Sequence, residues 1–353
     1  MINAYRKNAQ MSSRVKDFLS DPPYDPCMAK LLDAKIAEPV AEALRSASKI
    51  LVVTHRNPDG DAIGSAVAVV LALEAMGKDV YGYCPGPLLA HFLDLPQIDK
   101  LSLEYPQGRS FDLTLVLDCG DLERVSEDFK PSGLVVNIDH HGTNPMFGDL
   151  NWVDASSAAT GEMVFALLRA LKVRLTPDMA QNLYLAIITD TGSFRHSNTR
   201  PETFHLAGCL MAAGAIPDEA ARLYWDNNTP ESTRLRGEVL AHLELRCGGK
   251  IAWSQLTAEQ LAAHGGPVNE PEGLSGQLRA IRGVKVGLLF TEVDGEGVRM
   301  SFRSTGEFDV AEIAGVFGGG GHRAAAGAFV KGPLEKVRED VLAVLERALG
   351  SVK

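Results

Sequence analysis

The chain has 353 residues, of which 45% are hydrophobic and 23% are charged, and its formal net charge is -10 at pH 7. This composition is that of a globular protein long enough for two domains, and the acidic balance argues against broad nonspecific binding to duplex nucleic acid. The apolar runs are shorter than the roughly 18 to 20 residues of a membrane helix, and the N-terminus lacks an apolar signal region. We therefore expect a cytoplasmic protein without membrane association.

The first strong signal in chain order is a strand that runs into a polar turn, after a polar arm over residues 1–25. The run Ile50–Thr54 is short, β-branched and apolar, which is typical of a strand buried on both faces of a parallel sheet. The turn after this run holds three candidate metal ligands, which are His55, Asp59 and Asp61. A helix is predicted next, over Ala62–Met76. Because open α/β sheets bind ligands between strand ends and helix starts, we expect these three side chains to converge there.

Three further polar clusters follow apolar segments in the same way. Two come after predicted strands and one after a predicted helix, at Asp118, Asp139-His140-His141 and Asp190. Taken singly, each has a structural explanation, since aspartate is common in turns and at helix caps. Together with the first turn, however, they predict one shared site with the ligands His55, Asp59, Asp61, Asp118, His140 and Asp190. The loop after Asp190 carries Arg195 and Asn198, which we interpret either as substrate contacts or as solvent-exposed loop residues.

The residue types at this predicted site favour particular metals. Carboxylates and imidazoles without cysteine favour Mn²⁺, Mg²⁺ or Fe²⁺ over structural zinc. The five cysteines of the chain are scattered without a CxxC pair, which also argues against a disulfide framework. Two such ions about 3.5 to 4 Å apart would activate a water and stabilise the leaving oxygen of a phosphoryl transfer. The sequence therefore predicts a two-metal phosphate-ester hydrolase.

The pattern of predicted strands and helices changes in the last third of the chain. A turn-rich stretch and a charged amphipathic helix, together 227–245, are interpreted as a connector between domains. Strands and helices then alternate over 246–353, with a hairpin signal at Asp294-Gly295-Glu296-Gly297. Asp309 is expected to cap a helix that ends at Gly318-Gly319-Gly320-Gly321. These glycines fit either a helix end or a backbone that approaches a phosphate closely.

Four motifs, in this order, resemble those of the DHH phosphoesterase superfamily. They are His55-Arg56-Asn57-Pro58-Asp59-Gly60-Asp61, Leu117-Asp118-Cys119-Gly120-Asp121, Asp139-His140-His141 and Thr189-Asp190-Thr191-Gly192. The run from Gly318 to Gly327 is similar to the GGGH signature of the DHHA1 domain. The resemblance spans about residue 45 to the end. It implies an α/β DHH domain with a mainly parallel sheet flanked by helices, over 26–226, and a smaller α/β DHHA1 domain over 246–353.

Within this superfamily, the chain resembles the nanoRNases, which are bifunctional oligoribonucleases and phosphatases of 3'-phosphoadenosine 5'-phosphate (pAp). The resemblance implies two Mn²⁺ ions, with Mg²⁺, Co²⁺ or Fe²⁺ as possible substitutes. It further implies that short RNA, linear dinucleotides and pAp are the substrates, that the active site lies in a cleft between the two domains, and that a homodimer is plausible.

The resemblance also assigns roles to individual residues. One ion would be held by His55, Asp59, Asp118 and Asp190. The other would be held by Asp61, Asp118, His140 and Asp190. His141 would contact the scissile phosphate, assist proton transfer or support a ligand. In the second domain, the residues expected to bind substrate are Arg303, Gly319, Gly320, Gly321 and His322.

Three alternatives stay open on the sequence. A family II inorganic pyrophosphatase shares the metal motifs but lacks the GGGH run. A RecJ-like single-strand exonuclease is usually longer and adds an OB-type domain. A nucleotide-binding regulator without catalysis would retain binding but not turnover, although every expected ligand type is present here.

Overall fold

The structure is a computed structural model that describes residues 34–89, 92–266, 273–293 and 295–351. The predicted arm over 1–25 and Asp294 of the predicted hairpin turn lie outside these residues. The chain divides into two compact units between Asp226 and Asn227. Among the residues described, there is no helix with the length and apolar character needed to cross a membrane.

A six-stranded parallel sheet forms the centre of the N-terminal unit, in the order β3-β2-β1-β4-β5-β6. Its strands are β1 (Lys49–Val53), β2 (Asp79–Tyr83), β3 (Leu101–Ser102), β4 (Leu113–Leu117), β5 (Leu134–Asp139) and β6 (Leu150–Val153). The central strands β1 and β4 are buried almost throughout, as their apolar runs predict. The strand order reverses between β1 and β4, and such a switch point is where open α/β sheets bind ligands.

The described residues of this unit also form six α-helices, whose buried residues pack in one cluster with those of the sheet. They are α1 (Ala34–Ser46), α2 (Gly60–Ala75), α3 (Thr160–Ala170), α4 (Pro177–Asp190), α5 (Pro201–Ala213) and α6 (Pro217–Tyr224). The predicted helix after the first turn is confirmed, but it begins two residues earlier, at Gly60, because the Asp59 side chain caps it. The last helix residue of α4 is Asp190, so a regular element fixes the position of this side chain.

Close packing between α2 and α4 depends on glycines. A Cβ at Gly60 would lie 2.4 Å from Cγ2 of Thr189, and a Cβ at Gly64 would lie 2.3 Å from the Asn182 carbonyl oxygen. Gly60 is the first residue of α2, where the missing side chain lets two helices, and with them Asp61 and Asp190, approach each other.

The C-terminal unit contains a second six-stranded sheet, in the order β11-β12-β10-β9-β8-β7. Its strands are β7 (Glu244–Arg246), β8 (Ile251–Leu256), β9 (Val286–Val293), β10 (Gly297–Ser304), β11 (Gly320–His322) and β12 (Ala325–Val330). Only β8 and β9 pair in parallel; the other neighbours are antiparallel. The helices of this unit are α7 (Pro230–Ala241), α8 (Ala258–Ala263), α9 (Leu274–Arg279), α10 (Val310–Val316) and α11 (Leu334–Ser351).

The helix predicted up to residue 245 is shorter in the structure. It ends at Ala241, and Glu244–Arg246 forms β7 instead, because this stretch pairs with β8 at the edge of the sheet. Within α7, the buried side chains of Leu235 and Val239 pack in one cluster with leucines of β8, β9, α8 and α9. Helix α7 is therefore part of the hydrophobic core of the C-terminal unit.

Candidate metal centre

The six predicted ligands lie at the ends of elements that meet at one edge of the parallel sheet. His55 follows β1, Asp118 follows β4 directly, and His140 follows β5 directly. These three strands are neighbours in the sheet, so their carboxyl ends lie side by side. Asp59 and Asp61 begin α2, and Asp190 ends α4.

The imidazole of His140 lies at the centre of this cluster. Its Nε2 is 3.1 Å from Oδ2 of Asp190, 3.6 Å from Oδ1 of Asp118 and 3.8 Å from Oδ2 of Asp61. Its Nδ1 faces the carbonyl oxygen of Ser157 at 3.4 Å. A proton on Nδ1, donated to this carbonyl, leaves the lone pair of Nε2 directed at the carboxylates, which is the tautomer that a metal-binding histidine needs.

His55 has the same arrangement on the other side of Asp118. Its Nδ1 lies 2.8 Å from the carbonyl oxygen of Arg56, and its Nε2 lies 3.6 Å from Oδ2 of Asp118. The backbone carbonyl again accepts a proton from Nδ1, so Nε2 can coordinate a cation. Asp118 thus lies between two imidazoles. Its backbone is left-handed, with φ of 53°, a conformation that few residues other than glycine adopt and that often marks functional sites.

Two of the aspartates are held by the first turn of α3. The backbone N–H groups of Thr160 and Gly161 donate to the Asp61 carboxylate at 2.6 and 2.9 Å, and the Ser65 hydroxyl donates to it at 3.1 Å. The Thr160 hydroxyl donates to Oδ1 of Asp118 at 3.0 Å. The partial positive charge of a helix N-terminus stabilises carboxylates in this position. Sequence reasoning missed Thr160 and Gly161, which lie outside the four motifs.

The donor atoms form three groups in which all ligand atoms lie within 4.8 Å of one another. The groups are Asp61-His140-Asp190, His55-Asp59-Asp118 and Asp118-His140-His141. The first group contains three of the four residues predicted to hold one ion. The second group contains three of the four residues predicted to hold the other ion. Oxygen and nitrogen donors of this kind suit Mn²⁺, Mg²⁺ or Fe²⁺. The residues present therefore fit a centre for divalent cations.

Asp59, a predicted metal ligand, has a structural role in this turn. Its Oδ1 accepts hydrogen bonds from the backbone N–H groups of Asp61 and Ala62 at 3.1 and 3.0 Å, which caps α2. Asp59 is thus the N-terminal cap of α2, and its role as a ligand stays a prediction. The same cap orients the carboxylate toward His55 and Asp118.

Burial and the charges of neighbouring groups shift the pKa values of the residues in this cluster. Burial, and then the charges of Asp118 and Asp190, hold the pKa of Asp61 well above its usual range. The pKa of Asp118 is low despite burial, because the three histidines stabilise its charge. Burial opposes the charging of His140, but nearby carboxylates outweigh this effect and raise its pKa. A divalent cation would replace these protons and relieve the repulsion between carboxylates.

His141 is oriented differently from the other two histidines. Its Nδ1 lies 2.7 Å from Oδ1 of the buried Asp139, a shorter distance than the 3.7 Å to Oδ1 of Asp118. Asn144 donates to the other oxygen of Asp139 at 2.6 Å and to Oδ1 of Asn137 at 2.8 Å. With the Nδ1 proton donated to Asp139, Nε2 is the nitrogen available for acid–base chemistry.

The loop after Asp190 is tied to the centre through Asn198. The side-chain amide of Asn198 donates to the carbonyl oxygens of Ala158 and Asp190 at 2.9 and 3.1 Å, so this side chain links the loop to the ends of two elements. Arg195 is exposed, donates to the Gly192 carbonyl at 2.7 Å, and places its guanidinium 5.2 Å from the Trp225 ring. Contact of either residue with substrate stays a prediction.

The predicted substrate residues of the C-terminal unit lie together on its sheet. Strand pairing places the backbones of His322, Ala325 and Arg303 side by side across β11, β12 and β10. The side chain of His322 is outside the residues that the structure describes. Packing requires Gly319 and Gly321. A Cβ at Gly319 would lie 2.1 Å from the Gly327 carbonyl oxygen, and a Cβ at Gly321 would lie 2.5 Å from the Ala325 carbonyl oxygen. Part of the glycine run thus continues as β11 and does not only end a helix.

Comparison with known proteins agrees with this arrangement. Residues 49–187 match the family model described as "DHH family, N-terminal domain", and residues 255–351 match the DHHA1 domain. The chain belongs to the DHH family. The predicted superfamily, and the predicted order of a DHH domain followed by a DHHA1 domain, are confirmed.

Similar DHH proteins cover most of the chain. A protein of Thermus thermophilus named "bifunctional oligoribonuclease and PAP phosphatase NrnA" is 36% identical over 318 residues, which are 88% of this chain and 93% of that protein. A protein of the same name from Bacillus subtilis is 29% identical over 288 residues, covering 80% and 89%. A solved exopolyphosphatase-related protein from Bacteroides fragilis superimposes with a TM-score of 0.81 at 25% identity, covering 90% of this chain and 98% of that one.

Proposed function

We propose that this DHH protein hydrolyses phosphate esters of small nucleotides, removing nucleotides from very short RNAs, splitting linear dinucleotides and dephosphorylating pAp in the cytoplasm. The observation that carries the proposal is the convergence of Asp61, Asp118 and Asp190 within 3.8 Å of Nε2 of His140. Relatives that align over most of their length carry names with both activities. The expected homodimer rests on the family resemblance alone.

We assign the metal ligands as the sequence predicts, with His55, Asp59, Asp118 and Asp190 for one Mn²⁺ and Asp61, Asp118, His140 and Asp190 for the other. When bound, the two ions supply positive charge to the phosphate and lower the pKa of a water. The protein residues fix the geometry. Carbonyl oxygens hold the Nε2 tautomers of His55 and His140, and α3 holds Asp61 and Asp118.

We assign the proton transfer to His141. Asp139 accepts the Nδ1 proton of His141 and stabilises its charged form, so Nε2 can donate a proton to the leaving oxygen and later accept one. We assign substrate recognition to the DHHA1 residues Arg303, Gly319, Gly320, Gly321 and His322. A guanidinium and backbone N–H groups are suitable partners for phosphates.

Product analysis tests the proposal against its alternatives. The purified chain is incubated with Mn²⁺ and, separately, with pAp, pApA, pGpG, RNAs of two to five nucleotides, pyrophosphate and long single-stranded DNA. We expect products from the first four kinds of substrate, and loss of turnover in Asp118→Ala and His140→Ala. Hydrolysis of pyrophosphate alone would indicate a pyrophosphatase, and processive degradation of long DNA would indicate a RecJ-like exonuclease. Binding of pAp without any product would indicate a regulator.

A further inference from the structure

The two proposed ion sites have two ligands in common and differ in the other two. We call the one that contains His55 and Asp59 the His55 site, and the one that contains Asp61 and His140 the His140 site. Neighbouring residues in the sequence hold the ligands of the His55 site. The carbonyl oxygen of Arg56 orients His55, and Asp59 accepts hydrogen bonds from the first N–H groups of its own helix, α2. The support of the His55 site is therefore local.

The ligands of the His140 site are held by a distant part of the chain, residues 157–161, which we call the support segment. The carbonyl oxygen of Ser157 faces Nδ1 of His140, and two backbone N–H groups at the start of α3 donate to Asp61. Asp118, which both sites share, accepts one hydroxyl group of this segment but follows β4 directly in the chain. The position of the support segment therefore affects the His140 site more than the His55 site.

The support segment is itself fixed at Ala158, a fully buried residue between β6 and α3. The backbone N–H of Ala158 donates to Oε2 of Glu162 at 2.9 Å, and its carbonyl oxygen accepts from the side-chain amide of Asn198 at 2.9 Å. Side chains, and not a helix or a strand, thus satisfy both polar groups of this peptide. The residues that hold His140 and Asp61 lie within three positions of it.

The carboxylate of Glu162 connects this segment to the start of α5. Glu162 is 1% exposed, its Oε1 accepts from the Thr203 hydroxyl at 2.5 Å, and its Oε2 accepts from the guanidinium of Arg200 in an ion pair. A glutamate in the first turn of a helix commonly bonds the backbone just before that helix, which explains the contact with Ala158. It does not explain the two partners from α5, which lie 38 and 41 residues further along the chain.

This ion pair is better suited to fixing a geometry than to adding stability. A buried carboxylate costs free energy unless its charge is paired and its hydrogen bonds are made, and a buried ion pair contributes little net stability. Three donors from separate parts of the chain meet at Glu162, so the carboxylate has few positions in which all of its bonds are satisfied. The same bonds then leave Ala158 little freedom to move.

We propose that Glu162, with its partners Arg200 and Thr203, is a positioning residue for the His140 site. It belongs to neither ligand set and acts through Ala158, by holding the support segment where His140 and Asp61 can bind the same cation. This inference rests on the proposed function, because it uses the two proposed ligand sets, and it deepens that function by naming a residue that serves one ion and not the other.

Calorimetric titration with Mn²⁺, on full-length protein dialysed against EDTA, measures the affinity of both sites. The amide of Glu162→Gln keeps the shape of the side chain but cannot accept all three hydrogen bonds. We expect one of the two affinities to fall about 10- to 100-fold and the other to stay within about threefold of the wild type.

Gln181→Met is the matched control. Gln181 is 3% exposed and connects α4 to Ile216 through hydrogen bonds of 2.7 and 3.3 Å, so its loss disturbs a buried polar contact of the same unit outside the support segment. We expect this variant to have a lower Tm and unchanged affinities at both sites. A purely structural role of Glu162 would give the same result in Glu162→Gln, and this overturns the inference.

Further titrations identify the affected site. His140→Ala removes a ligand of the His140 site alone, and the ion that this variant retains should bind equally tightly after Glu162→Gln is added. Weaker binding of the retained ion would place the effect of Glu162 on both sites and overturn the inference. Thr203→Val removes one donor to Glu162 and should repeat the selective loss, whereas Thr203→Ser keeps the hydroxyl and should not. If Glu162→Gln does not fold, equal affinities in these two Thr203 variants overturn the inference.

The titrations use no substrate, so the inference and the proposed function can fail separately. Equal losses at both sites, or a wild type that binds fewer than two ions, overturn the inference even if the wild type hydrolyses pAp. A selective loss in Glu162→Gln supports the inference even if the wild type hydrolyses neither pAp nor short RNA, in which case the proposed function fails alone.

Discussion

At the scale of single residues, the geometry of the candidate metal centre depends on residues that are not predicted ligands. Thr160 is the clearest case, because its backbone N–H binds Asp61 and its hydroxyl binds Asp118. Ser157 and Arg56 act through their carbonyl oxygens, which orient two histidines. The ligand types were visible in the sequence as polar clusters after apolar runs. These supporting contacts were not, because carbonyl groups have no sequence signal and Thr160 lies 42 residues from the side chain that it orients.

The Thr160 hydroxyl should be required for tight metal binding. Thr160→Val keeps the shape of the side chain but loses the donor to Asp118, so we expect Mn²⁺ affinity to fall about 10- to 100-fold, as for other groups that support a ligand. Thr160→Ser keeps the hydroxyl and should retain most of the affinity. Calorimetric titration of each variant with Mn²⁺ measures this. Equal affinities of the valine and serine variants would contradict the role.

Asp139 should act on catalysis through His141. Asp139→Asn removes the negative charge that accepts the Nδ1 proton, so the preferred tautomer and the pKa of His141 change while the metal ligands stay in place. We expect kcat to fall at least 100-fold and the pH dependence of kcat to shift, with Mn²⁺ affinity within about threefold of wild type. If metal affinity and kcat fell in proportion, Asp139 would instead act by holding the metal ligands in place.

At the scale of elements, the sequence predicted β1 and α2 to within two residues of their observed bounds, whereas the short edge strands β3 and β6 were not predicted. Apolar, β-branched runs have few alternatives when both faces of a sheet are buried. The segment from 230 to 246 was less predictable, because β7 is short and forms through pairing with β8 rather than through its own propensity. The need for glycine within α2 was also invisible, since it arises from α4, more than a hundred residues away.

The packing of α2 on α4 makes Gly64 a sensitive position. A methyl group there would lie 2.3 Å from the Asn182 oxygen, so Gly64→Ala should lower the free energy of unfolding by about 1 to 3 kcal/mol. Gly208→Ala, in α5 with no atom within 4 Å of the added carbon, should instead be neutral or stabilising by up to about 1 kcal/mol. Thermal and urea denaturation of both variants would measure the difference. Similar stabilities would show that α2 can move away from α4.

At the scale of the whole molecule, metal binding and protonation are linked. After the opposing effect of burial, the carboxylates around them raise the pKa of His55 and of His140 above their ordinary value. A histidine proton of this kind stabilises the metal-free fold below the unfolded pKa of about 6.5, and this contribution is lost as the pH rises through the raised value. Cations bind the deprotonated ligands, so they compete with these protons.

The stabilisation by Mn²⁺ should therefore increase with pH. We expect the rise in Tm at a fixed excess of Mn²⁺ to be smaller at pH 6 than at pH 8, because a lower pH favours the protonated forms of the two histidines and of Asp61, whose pKa values are all raised. Differential scanning calorimetry in metal-free and Mn²⁺-containing buffers measures this rise in Tm. The same rise in Tm at both values would mean that the histidines do not change protonation when the ion binds.

The wide separation of the proposed ligands along the chain has a consequence for folding. His55, Asp118, His140 and Asp190 come from four segments that meet only when β1, β4, β5 and α4 have all docked. A fragment or a partly folded intermediate that lacks any one of these elements cannot assemble the full coordination sphere. Uptake of the ions should thus be one of the last events during maturation of the polypeptide, and their retention can report whether a preparation has reached its native topology.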